Sequence, residues 1–109
     1  MLIITISKDF SETPGGRYIS EGNFSGEEFR EKILRKAFEK AKQTKQKLTI
    51  NLDGGYGYPT SFLEEAFGGL ARLYGSSEVL NTLEFISEDE PPLIHEIESY
   101  ILSTNNKKK

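Results

Sequence analysis

The run from Leu48 to Gly75, LTINLDGGYGYPTSFLEEAFGGLARLYG, leaves this chain little freedom in what it can fold into. Apolar Leu48, Ile50 and Leu52 alternate with polar Thr49, Asn51 and Asp53, the period of a strand with one face buried. Gly54-Gly55-Tyr56-Gly57-Tyr58-Pro59 cannot extend that strand, because glycine adopts angles that strands forbid and proline brings no N–H to a ladder. Ser61 followed by Glu64 has the spacing of a capping box, which starts a helix. Phe62, Leu63, Ala66, Phe67, Leu70, Ala71 and Tyr74 then recur at three- and four-residue steps and give that helix one broad apolar face. Gly75 is a suitable residue to end it.

The flanking segments extend the pattern. Leu2 to Ile6 is largely β-branched and reads as a first strand. Thr13-Pro14-Gly15-Gly16 is turn chemistry, after which Arg17-Tyr18-Ile19 is expected to return as a short strand of a hairpin. Ser25 and Glu28 form a second capping box ahead of Phe29, Ile33, Leu34, Ala37, Phe38 and Ala41, a long amphipathic helix. Ser76 to Asn81 reads as a crossover and Thr82 to Ile86 as a further strand. Acidic residues 88–90 and Pro91-Pro92 then open a third helix through Leu93, Ile94, Ile97 and Ile101. The fold expected is a small single α/β domain, a mixed sheet of about four strands with three helices packed on it. It would occupy residues 1–106 and leave Lys107-Lys108-Lys109 as a basic tail.

Composition narrows the function classes. With 109 residues, 36% of them hydrophobic and 28% charged, the chain has the make-up of one soluble globular domain. No apolar run approaches the roughly 18 residues of a membrane span, and the apolar first residues lack the basic leader and cleavage site of a signal peptide. The absence of cysteine removes disulfides, thiol nucleophiles and thiolate metal sites, so the expected compartment is the cytoplasm. Residues 1–47 carry a net charge of +3 and residues 48–109 carry −6. The basic excess between Arg30 and Lys47 is interleaved with Glu31 and Glu39, the pattern of a solvated helix face and not of a nucleic-acid reader.

Candidate chemistry collects around the glycine loop. Asp53 at a strand end has the position of a phosphoacceptor aspartate, but only Asp9 is available as an acid partner, so Asp53 is expected to cap the glycine turn. Gly54-Gly55-Tyr56-Gly57 lacks the lysine and spacing of a phosphate loop. His95 stands alone on the last helix, with neither cysteine nor second histidine to share a metal, and is expected to face solvent. Asp53, Glu64 and Glu65 read as cap and surface and not as an acid/base pair, and no cofactor is called for. Gly68-Gly69 costs about 1 kcal/mol per glycine in a helix interior, so the missing side chains must serve close packing or the approach of a partner's backbone.

Gly16-Arg17-Tyr18, Ser25-Gly26-Glu27-Glu28-Phe29-Arg30, Leu52-Asp53-Gly54 and above all Gly57-Tyr58-Pro59-Thr60-Ser61-Phe62-Leu63-Glu64-Glu65-Ala66-Phe67-Gly68-Gly69-Leu70 carry a resemblance. The chain, from about residue 15 to 102, resembles the prokaryotic STAS-like domain family whose function is not assigned. That family is similar to the sulfate-transporter and anti-sigma-factor-antagonist domain, an α/β module that acts by docking. The resemblance implies a non-catalytic regulatory module with a protein partner, either a histidine-kinase-like ATPase or a helix-turn-helix regulator. It implies no direct nucleic acid or membrane contact, and a homodimer is compatible with it. In the antagonists a kinase phosphorylates the serine of an Asp-Ser pair at a helix start. The matching pair here is Thr60-Ser61, preceded by Pro59 where aspartate is usual. Docking is then expected through Asp53, Tyr56, Tyr58, Phe62, Glu65, Gly68 and Gly69. The rival expectation is a small-ligand or nucleotide sensor that uses the second helix N-terminus as an anion site.

Overall fold

In the computed structural model, which describes residues 2–106, three strands build one sheet. β1 (Leu2–Thr5), β2 (Leu48–Asn51) and β3 (Leu83–Ile86) lie side by side in chain order and all run parallel. The register sets Leu2, Leu48 and Leu83 in one row and Ile4, Ile50 and Phe85 in another. These six side chains share a face, and Ile4, Leu48, Ile50 and Leu83 are buried there. On the opposite face Ile3 and Ile86 remain 50% and 38% exposed, so the helices form their layer on the first face.

That layer contains α1, a single turn at Ile6–Asp9, α2 over residues 26–44, α3 over 60–74, α4 at Ser76–Thr82 and α5 at Pro92–Asn106. Residues 30–34 of α2 and 64–68 of α3 take the wider π-type winding, and these two segments lie against each other. Phe29, Leu34, Phe38, Phe62, Phe67, Leu70, Ile97 and Ile101 fill the core between helices and sheet. Both expected amphipathic faces therefore point inward.

The sheet differs from expectation in having three parallel strands instead of a mixed four. Arg17-Tyr18-Ile19 forms no returning strand and leads into a 3-10 turn at Ile19–Glu21. The cause is capture of its donors by carboxylates. Glu21 Oε1 accepts the N–H groups of Arg17 and Tyr18 at 2.8 and 3.2 Å, and Glu27 Oε1 accepts that of Ile19 at 2.9 Å. There are also five helices, not three. Ile6 leaves the first strand for α1, and the expected crossover coils into α4 after Gly75 turns the chain at φ +97°.

The capping boxes fare differently. Ser25 Oγ accepts the Glu28 N–H at 3.0 Å, while Glu28 Oε1 reaches one residue further back to the Phe24 N–H at 2.9 Å. The Ser61–Glu64 box does not form: α3 begins at Thr60 with Pro59 in the cap position, and Glu64 turns to arginines instead. The basic tail, Lys107 to Lys109, lies outside the described residues.

Candidate functional site

At the carboxyl end of the sheet two loops are tied together. The Leu52 N–H donates to the Ile86 carbonyl at 2.8 Å, and Asn51 Oδ1 accepts the Asp53 N–H at 3.0 Å. Asp53 does not cap its own glycine turn. Its two carboxylate oxygens accept the N–H groups of Glu88 and Asp89 at 3.0 and 2.9 Å, and Asp89 returns the contact by accepting the Gly54 N–H at 3.2 Å. The Tyr56 N–H donates to the Glu12 carbonyl at 2.9 Å, and the Tyr58 hydroxyl donates to the Leu52 carbonyl at 2.8 Å. Burial, and then the Asp53 charge, push the Tyr58 hydroxyl up to about 12, so it stays a donor at neutral pH.

Within this fixed frame the Tyr56 side chain is 84% exposed. Beside it lies a cleft of about 40 Å³ lined by Leu52, Asp53, Tyr58, Asp89, Glu90 and Leu93, among others. That volume is on the scale of a few water molecules.

The start of α3 supplies the remaining candidates. Thr60 is exposed and lies beside the Tyr100 hydroxyl, which donates to Glu96 at 2.7 Å; Ser61 is half-buried. Phe62 is fully buried, its ring 5.8 Å from Phe29, 6.0 Å from Tyr58 and 6.1 Å from Phe10, so it holds the loop to the core from behind. Glu65, Gly68 and Gly69 are buried as well. A surface set of Asp53, Tyr56, Tyr58 and Thr60 is thus separated from a buried set of Phe62, Glu65, Gly68 and Gly69.

Glu65, Gly68 and Gly69 belong to a charge network that the sequence did not reveal. Arg30 Nη1 donates to Glu65 Oε2 at 2.7 Å and to the Glu65 carbonyl at 2.8 Å. A Cβ on Gly69 would collide with that guanidinium, so the glycine makes room for Arg30. Arg17 pairs with Glu64 and Glu65, and Arg72 pairs with Glu64 at 2.7 Å. Burial pushes the Glu64 carboxyl up, but hydrogen bonds from Arg72 and Arg17 outweigh it and hold the group below its usual range. A carboxylate so committed is a poor proton acceptor for catalysis. The sequence signal nearest to this cluster is Gly68-Gly69 one turn after Glu64-Glu65, which marks close packing without naming what packs there.

The other candidates are occupied or isolated. Asp9 accepts the Thr5 N–H at 2.8 Å, so it is engaged in its own turn. The His95 side chain is 92% exposed, with Glu98 at 3.8 Å. Among the described residues no three His, Asp or Glu side chains group to hold a metal ion, and no helix is long and apolar enough to cross a membrane.

The model of a family described as a STAS-like domain of unknown function (DUF4325) matches residues 25–92. The matched stretch opens on the α2 cap Ser25 and closes where α5 begins, so it includes the glycine loop and both long helices and leaves out β1. No curated protein and no solved structure matches the chain.

Proposed function

The chain belongs to the STAS-like family of unknown function, and from that premise we propose that it is a non-catalytic regulatory module that docks a protein partner through its glycine loop. The family description suggests a domain without chemistry of its own. The observation that carries the docking reading is Tyr56, 84% exposed on a loop whose neighbours are fixed by bonds to Glu12, Glu88, Asp89 and Leu52. An aromatic presented on a preorganised backbone loses little entropy on binding, the condition under which such residues dominate interfaces. Asp53, the Tyr58 edge and Thr60 complete the contact, while Phe62, Glu65, Gly68 and Gly69 support it from inside. The partner is a histidine-kinase-like ATPase or a helix-turn-helix regulator, as the likeness to anti-sigma-factor antagonists implies, and the setting is the cytoplasm.

Thr60 is the accessible phosphoacceptor and Ser61 the screened one. A phosphate on Thr60 would be drawn to the α3 N-terminus and repelled by Glu96 and Glu64, and it would break the Tyr100 contact. It would thereby switch docking off. The test is binding of a candidate partner encoded beside this chain. Tyr56→Ala and Thr60→Glu each weaken it by about 2 kcal/mol, roughly thirtyfold, without altering the fold. Unchanged binding by both variants would overturn the reading. The rival, a nucleotide sensor, meets the acidic lining of Asp53, Asp89 and Glu90, and reproducible thermal stabilisation by ATP or GTP would favour it instead.

A further inference from the structure

Because the three strands are parallel, loop 87–90 after β3 and residues 45–47 before β2 sit at opposite ends of the molecule. The first end is acidic. Glu88, Asp89 and Glu90 are exposed on a loop stiffened by the Asp53 carboxylate, by the Ser87 hydroxyl donating to the Glu90 carbonyl at 2.6 Å, and by Pro91-Pro92 behind it. The second end holds a cleft of about 270 Å³ lined by Lys42, Lys45, Gln46, Lys47, Asn81 and Thr82, among others. Lys47 Nζ is steadied by the Asn81 carbonyl at 2.5 Å, and Lys42 by Glu78 at 2.7 Å. Lys45 follows α2 in the left-handed region, at φ 58°, a position that glycine normally fills. The chain thus keeps a charged arm there at a conformational cost.

We propose that the acidic loop 88–90 of one copy docks in the lysine cleft of the next. The charges are complementary and the loop is preorganised. The contact is heterologous, so copies add head to tail. Exposed ion pairs make it weak and sensitive to salt. This inference does not rest on the partner reading, since it uses neither Tyr56 nor Thr60.

Sedimentation velocity tests it at protein concentrations up to about 1 mM, in salt of about 0.02 M and about 0.5 M. The wild-type average mass rises above the 12.3 kDa of the monomer at low salt and falls back at high salt. Lys45→Ala/Lys47→Ala and Glu88→Gln/Glu90→Gln are each monomeric alone. Mixed together they give a dimer that grows no further, one supplying the loop and the other the cleft. Should removal of Lys47 unfold the chain, Lys45→Ala alone serves. A monomer mass throughout, or association undiminished in both double variants, overturns the proposal and leaves the cleft to an acidic segment of another protein.

Discussion

In the loop after β2, Gly54 and Gly57 have φ of +97° and +121°, whereas Gly68 and Gly69 in α3 keep ordinary helical values of −63° and −61°. The first pair is required by the backbone itself, since side-chain-bearing residues reach those angles only under strain. The second pair is required by a neighbour: Arg30 lies where a Gly69 side chain would be, and Glu64 lies 2.9 Å from a Cβ on Gly68. One residue type therefore shapes an exposed loop at one place and admits a buried cation at another. Glycines in loop and helix thus report two separate constraints, and only the first lies on the proposed docking surface.

The largest effect should come from the cation. Arg30→Ala leaves Glu65 buried without its main partner and is expected to lower stability by about 3–5 kcal/mol, measured by urea unfolding. Gly54→Ala should cost about 1–3 kcal/mol, from the positive φ and from Ser7 Oγ, 2.9 Å from the new Cβ. Gly69→Ala should cost about 1 kcal/mol net, because overpacking against Arg30 is partly offset by the helix propensity of alanine. The comparison is sharpest in the Arg30→Ala background. There Gly69→Ala should become neutral or stabilising while Gly54→Ala keeps its full cost, because only contacting residues couple. Equal costs for both in both backgrounds would break the distinction.

Acid reaches the same buried cluster. The Glu64 carboxyl is held below its ordinary 4.5 in the folded chain, so its contribution is present above that value and is lost as pH falls through the folded one. Urea midpoints measured between about pH 5 and pH 3 should therefore fall, and fall less steeply in Glu64→Gln. The smallest effect is on the surface. Tyr56→Ala should change stability by no more than about 0.5 kcal/mol.

Most elements were legible in the sequence because the chain announces them locally. Alternation gave β2, the spacing from Phe62 to Tyr74 gave α3, and Ser25 marked the start of α2. What was not legible depended on which side chain reaches which partner. Glu21 and Glu27 take the backbone donors of Arg17, Tyr18 and Ile19, which neither alternation nor turn chemistry announces, so a strand was expected where a 3-10 turn forms. Ser61 and Glu64 had capping-box spacing, but Arg17 and Arg72 outbid the backbone for the carboxylate. The strand was expected to run into Asp53 but stops at Asn51, and the Asp53 acceptors serve a loop 35 residues further on. Phe62 was expected on the docking surface although its spacing already placed it on the apolar face of α3, and in the fold Phe10 and Phe29 close over it.

The measurement that bears most directly on the docking surface is photo-crosslinking inside cells, with a benzophenone side chain at position 56 and, as control, at position 95, whose His95 side chain is 92% exposed on α5. A discrete adduct from position 56, absent from position 95 and lost with Thr60→Glu, is the result expected of a loop that receives a partner. No adduct from position 56, or the same adducts from both positions, would contradict it.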